Sequence, residues 1–235
     1  FVSGSNLQSF MISPLQVLYE DNHLLVINKQ AGVLVQGDAT GDVPLVDMAK
    51  EYIGEKYQKP GDVFLGVVHR LDRPVSGVVL FARTSKALER MNELFRDRKT
   101  QKTYWALVSN RPARKEGTLV HWLVKDEKKN KTTAYSKENA NGSRSELHYK
   151  VIDNKRGYYL IEVNPITGRP HQIRVQLASM GCPIVGDVKY GSEMSSPDGS
   201  IGLHARQLSF IHPVKKEPII ISAGLPQNDW WKPFS

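Results

Sequence analysis

GVVHRLDRPVSGVVLFART, residues 66–84, sets Asp72 with Arg70 and Arg73 between two apolar runs. The runs VFLGVV (63–68) and GVVLFA (77–82) are short and unbroken, the pattern of central strands covered on both faces. HRLDRPVS is then the loop that joins them. Isolating the charge of Asp72 there is costly unless it finds a partner. One reading makes Asp72 a loop carboxylate capping backbone N–H groups beside Pro74 and Gly77. The other makes it a reactive group on a rigid scaffold, because His69, Arg70 and Arg73 crowd one carboxylate in a loop between core strands.

Outward from this stretch, strands dominate. VLYEDNHLLVINKQAGVLV, residues 17–35, reads as strand, polar turn at Glu20 to His23, strand, and then a turn at Gly32 into a further strand. Helical spacing of Leu45, Met48, Ala49, Tyr52 and Ile53, with Pro44 near the start and Gly54 near the end, predicts a helix. A second helix is predicted over Ser85 to Arg98, burying Leu88, Met91, Leu94 and Phe95. Strand-like segments follow at 102–108, 118–125, 132–138, 145–153 and 158–165. A third helix is expected from Arg169 to Gly181, and two last strands near ARQLSFIH and EPIIISA. Strands outnumber helices and follow one another through tight turns. The expected class is α+β: a mixed, mainly antiparallel central sheet with flanking helices.

Composition narrows the partners. The chain has 235 residues, 40% of them hydrophobic, and 32 Lys and Arg against 24 Asp and Glu leave a formal charge of +8. That favours a polyanionic partner such as RNA, DNA or an anionic membrane surface. Its one cysteine, Cys182, excludes an internal disulfide and a cysteine zinc cluster, which fits a reducing, cytoplasmic setting. No run approaches the roughly 18 apolar residues of a membrane helix. FVSGSNLQSF, residues 1–10, reads as a cloning scar, with Met11 as the native start and a single domain over 11–235.

A second constellation lies in NPITGRPHQIRVQLASMGCPIVGDVKYG, residues 164–191, where Arg169, His171, Gln172 and Arg174 gather around a helix start. It is either a solvated basic helix face or an anion site built from basic side chains and free N–H groups. HxxxH metal spacing and phosphate-cradling glycine loops are both missing, so no metal and no nucleotide cofactor is expected.

These residues carry a resemblance. GVVHRLDRPVSGVVLFART resembles the catalytic-aspartate motif of the RluA-like pseudouridine synthases, in which HRLD is followed by Ser-Gly and an apolar strand. VLYEDNHLLVINKQAG is similar to that family's opening strands, KTYWALV to its tyrosine motif, TGRPHQIRVQLASMGCPIVGDVKYG to its arginine motif and LHARQLSFIHP to its closing strand. The blocks run in family order from residue 17 to 226. Gln30, Val75 and Pro170 depart from the pattern, and none removes a reactive group.

The resemblance implies isomerisation of uridine in ribosomal or transfer RNA to pseudouridine, without a cofactor. Asp72 is then expected to act on the ribose, as nucleophile at C1′ or as base at the 2′ hydrogen, and both routes need the ionised carboxylate. By the same resemblance Arg174 pairs with Asp72, Tyr104 packs against the target base and its hydroxyl takes the C5 proton, and Arg70 inserts where the base was. Without it, Tyr104 reads as a core aromatic and Arg70 as one half of an ordinary salt bridge. His69, Arg73, Arg169 and His171 are expected to join Arg70 in contacting RNA. The basic segments RPARKEG (111–117) and KDEKKNK (125–131) are solvated surface or phosphate contacts.

Two rivals remain. A glycoside hydrolase would need a second carboxylate, for which Asp187 is available, although the GDxxYG stretch reads better as a tight turn with its own capping aspartate. The other is a non-catalytic RNA-binding protein or RNA chaperone on the same fold. A monomer with no separate N-terminal RNA-binding domain is the expected layout.

Overall fold

The computed structural model describes residues 15–235; the expected scar and Met11 lie outside the described residues. Eleven strands form one sheet: β1 (Val17–Glu20), β2 (Leu24–Lys29), β3 (Gly66–Val67), β4 (Ser76–Ala82), β5 (Gln101–Val108), β6 (Glu116–Asp126), β7 (Lys131–Tyr135), β8 (Ser143–Lys155), β9 (Tyr158–Pro165), β10 (Leu203–Ile211) and β11 (Pro218–Ser222). The main order is β1-β2-β4-β10-β5-β9-β8-β6-β7, with β11 beside β10 and β3 beside β4. Only β4 and β10 run parallel. Three helices, α1 (Leu45–Tyr57), α2 (Ser85–Arg96) and α3 (Gln172–Ser179), complete the fold, and among the described residues none is long and apolar enough to cross a membrane.

β4 shows why its sequence has no polar alternation. Val79 and Phe81 join the core cluster of α1 and α3, while Val78, Leu80 and Ala82 join the cluster of α2 on the other face. Val78, Val79, Leu80 and Phe81, fully buried, each contribute about 1.5–3 kcal/mol. Gly77, the second residue of this strand, has φ 115°, and a Cβ there would lie 2.3 Å from the Ala205 carbonyl oxygen. Glycine is what lets β4 dock against β10 at this point.

Several boundaries differ from the sequence reading. The run at 63–68 is no central strand: only Gly66–Val67 pairs, against the far end of β4, and Phe64 is half exposed. No strand follows Gly32, because the Leu34 and Val35 carbonyls accept the Leu45 and Val46 N–H groups at the start of α1 (2.7 and 3.2 Å). Gly54 lies inside α1, which ends at Tyr57 with Gln58 in the left-handed region. α3 starts at Gln172 rather than Arg169, since His171 is left-handed at φ 55°.

α2 begins where Thr84 caps it, its Oγ1 accepting the Ala87 N–H at 3.1 Å. It stops at Arg96 because Arg98 turns left-handed at φ 56°, and the Lys99 N–H returns to the Leu94 carbonyl at 2.8 Å.

Candidate active site

The loop between β3 and β4 and the start of α3 meet across a cleft of about 1070 Å³. Asp72 lies on its wall with its side chain 31% exposed. Arg174 Nη1 donates to Asp72 Oδ2 at 2.9 Å. The other side of the same guanidinium grips Asp187, with Nε on Oδ2 at 2.7 Å and Nη2 on Oδ1 at 2.8 Å. One buried arginine thus holds two carboxylates, one open to the cleft and one sealed.

Asp187 corrects the turn reading. Its carboxylate makes no capping bond to the turn at Val188–Tyr190 and is spent on Arg174. Both of its oxygens are occupied and it is 2% exposed, so it does not face the cleft as a second acid. The pair keeps Arg174 charged: burial alone would lower its pKa, and the Asp187 hydrogen bonds and charge, with Asp72, raise it above the ordinary value. The arginine also lies over the Tyr190 ring, 5.1 Å from its centre.

His171 closes the far side. Its Nδ1 pairs with the Tyr190 hydroxyl at 2.6 Å, and its Nε2 stands 3.9 Å from Asp72 Oδ2. Burial lowers its pKa against the pull of Asp72, with Arg174 adding to the fall, so the ring is neutral at physiological pH. The lead-in to α3 is pinned by Gln172, whose Oε1 accepts from Thr167 Oγ1 (2.7 Å) and the Arg169 N–H (3.1 Å).

The neighbours of Asp72 in sequence do not crowd it. The Leu80 N–H donates to His69 Nε2 at 3.1 Å, and the ring stacks on Phe95. Burial, helped by the charge of Lys102, pushes the His69 pKa down to about 3. Arg73 turns away to Asp42 Oδ2 (2.6 Å) and the Gly32 carbonyl (2.9 Å). Arg70 is exposed on the cleft rim and makes no ion pair among the described residues. Arg169 is likewise exposed on the cleft.

Tyr104, on β5, lines the cleft, and among the described residues its hydroxyl has no hydrogen-bonding partner. Burial first, then the Asp72 charge, raises its pKa, so the hydroxyl keeps its proton at neutral pH.

Sequence reasoning also passed over Lys29, the last residue of the fully buried β2. Its ammonium donates to the Gln30, Val33 and Arg73 carbonyls at 3.0, 2.7 and 3.1 Å, tying the strand end to the residue after Asp72. Burial pushes its pKa down to about 7, with Asp72 opposing and Arg73 reinforcing. A lysine closing an unbroken apolar strand was the available signal.

Nine Lys and Arg residues line the cleft against two Asp. Lys125, from the β6–β7 hairpin, is among them, and no residue of 111–117 is. Among the described residues no three His, Cys, Asp or Glu side chains are grouped to hold a metal ion.

The chain matches the model of the family described as RNA pseudouridylate synthase over residues 23–179, a stretch that includes Asp72, Tyr104 and Arg174. It is 34% identical to the ribosomal large subunit pseudouridine synthase C of Vibrio vulnificus (strain CMCP6) over 218 residues, 90% of this chain and 66% of that one. It is 33% identical to the ribosomal large subunit pseudouridine synthase D of Xylella fastidiosa (strain Temecula1 / ATCC 700964), over 92% of this chain and 67% of that one. This chain spans about two thirds of the length of the curated relatives it matches. The solved structure of human RNA Pseudouridylate Synthase Domain Containing 4 superposes with a TM-score of 0.75 at 26% identity, covering 90% of this chain and 89% of that one.

Proposed function

This chain belongs to the RNA pseudouridylate synthase family, and from that membership we propose that it isomerises uridine to pseudouridine in RNA, ribosomal RNA first, with Asp72 acting on the ribose. The observation that carries the proposal is the half-open Asp72 carboxylate, held at 2.9 Å by a buried arginine that is itself anchored from behind.

The reaction breaks the N1–C1′ bond, turns the uracil over, joins C5 to C1′, takes the proton off C5 and places one on N1, leaving the composition unchanged. Asp72 serves either as nucleophile at C1′ or as base at the 2′ hydrogen. In both cases Arg174 supplies the fixed counter-charge that keeps the carboxylate aimed into the cleft. The Tyr104 ring packs against the uracil. Its hydroxyl is protonated in the resting site, so it accepts the C5 proton only as it passes its own on.

Reaching the ribose requires the uridine to leave its stack, at a cost of a few kcal/mol. Arg70, exposed on the rim and without an ion pair among the described residues, is placed to fill the gap, where a planar guanidinium can stack on bases and bind phosphate. The relatives are named for the ribosomal large subunit, which is why ribosomal RNA comes first. His171, Arg169, His69 and Arg73 all line the same cleft and join Arg70 in contacting RNA, His69 and Arg73 while also holding the loop through Leu80 and Asp42.

The test is tritium release from ribosomal and transfer RNA labelled at uridine C5, comparing this protein with Asp72→Asn. Release by the first alone establishes isomerisation at Asp72 and names the RNA class. RNA binding without release by either would replace the proposal with a non-catalytic RNA-binding role.

A further inference from the structure

Lys102 stands two residues before Tyr104 on β5, so both side chains point to the same face of the sheet, about 7 Å apart along the strand. Both line the cleft. The ammonium of Lys102 lies between two parts of the cleft wall. It is close enough to His69 to lower that ring's pKa, and a Cβ on Gly168 would come within 3.5 Å of it. Among the described residues it donates no hydrogen bond and makes no ion pair, although its side chain is partly buried. Its backbone pairs with Leu208 of β10, and Asn164 Nδ2 donates to its carbonyl at 3.5 Å.

A partly buried ammonium without an acceptor is unfavourable, and a β-branched residue would suit this strand position better. The cation therefore costs stability in the free protein and finds compensation only when an anion arrives. Among the described residues no carboxylate lies within ion-pair distance of it, and Arg98, Thr100, Gly168 and Arg169 line the same cleft. Gly168, lacking a side chain, leaves the ammonium open from that direction.

We infer that Lys102 binds the RNA phosphate next to the uridine held against Tyr104. The inference rests on the proposed function, since it takes the base site from that reading. The spacing suits it: one strand repeat of about 7 Å separates the two side chains, comparable to the separation between a base and the phosphates of its own nucleotide. Fixing that phosphate would hold the sugar in front of Asp72 after the base has left its stack. The contact carries no sequence information and acts on positioning.

Tritium release from C5-labelled large-subunit ribosomal RNA, measured from low to high salt, tests it with wild type, Lys102→Gln and Lys102→Arg. In Lys102→Gln, kcat/KM should fall about tenfold at low salt, with the loss in KM. The slope of log(kcat/KM) against log salt should become shallower by about 0.7–0.9, the share of one phosphate contact. Lys102→Arg should recover most of both. An unchanged slope in Lys102→Gln, or a loss confined to kcat that Lys102→Arg does not recover, overturns the phosphate role and leaves the isomerase reading standing. No release by wild type from any RNA would instead remove the isomerase reading itself, and the phosphate role with it.

Discussion

Replacing Asp187 by asparagine separates what holds the site together from what reacts in it. In the native protein Asp187 is 1% exposed at its side chain, Arg174 6% and Asp72 31%, and Asp187 takes two of the three hydrogen bonds that Arg174 gives to carboxylates. Removing one partner of a buried pair costs about 3–5 kcal/mol, because the other charge stays behind without compensation. Asparagine keeps one oxygen acceptor, so about 3 kcal/mol is expected. At roughly 2–4 °C per kcal/mol for a domain of this size, Tm should fall by about 6–12 °C. Asp72→Asn loses only one hydrogen bond at a partly solvated carboxylate and should change stability by about 1 kcal/mol or less. Activity should follow a different order. Asp72→Asn should abolish tritium release. Asp187→Asn leaves Asp72 chemically intact but frees the guanidinium to tilt, so kcat should fall by about tenfold to a hundredfold. Thermal unfolding and tritium release on the same preparations give both readings. A Tm for Asp187→Asn within about 2 °C of wild type would refute the anchoring argument. A lowered Tm with full kcat would refute the claim that the anchor aims Asp72.

The Tyr104 hydroxyl has no protein partner among the described residues, so Tyr104→Phe should melt within about 0.5 kcal/mol of wild type while slowing tritium release; a large drop in Tm would show a structural role instead. Gly77→Ala drives a Cβ to 2.3 Å from the Ala205 carbonyl and requires φ 115° of an L side chain, so it should destabilise by about 3 kcal/mol or more and be visible in a denaturant titration. For Asp21, burial would raise the pKa, but the His23 and Leu24 N–H groups, Lys215 and Tyr19 outweigh it and hold it below the ordinary 3.8. A carboxyl depressed in the fold stabilises fully above its unfolded pKa and loses that contribution as pH falls through the folded value. Asp21→Asn should therefore narrow the gap between Tm at neutral pH and Tm below pH of about 3, and an unchanged gap would count against it.

The sheet was legible where pattern and burial coincide. β4 reads as a covered strand because clusters on both of its faces bury it, and the later hairpins read as strands because their turns are short and their residues β-branched or aromatic. VFLGVV carries the same pattern and is almost all loop. An apolar run records that side chains are buried, not that the backbone pairs, and here Leu65 joins the core while Phe64 faces solvent.

The site divides in the same way. Asp72, Tyr104 and Arg174 were found through motifs, which record residue types in order along the chain. Crowding of Asp72 by His69, Arg70 and Arg73 was inferred from adjacency, and adjacency fails in a loop, where successive side chains leave in different directions. His69 turns to Phe95, Arg73 to Asp42, and the charge of Asp72 is met from α3, 102 residues away. Asp187 reads as a turn cap because nothing in GDVKYG marks its charge as buried, and Lys29 goes unread although it closes the apolar strand LLVINK. By itself the sequence determined the family of the chain, the class of its sheet and the chemical types at its centre, since those follow from residue order and periodicity. Only the tertiary structure decided which charge meets which, because burial and a distance of 2.7–2.9 Å around Arg174 belong to the packed molecule.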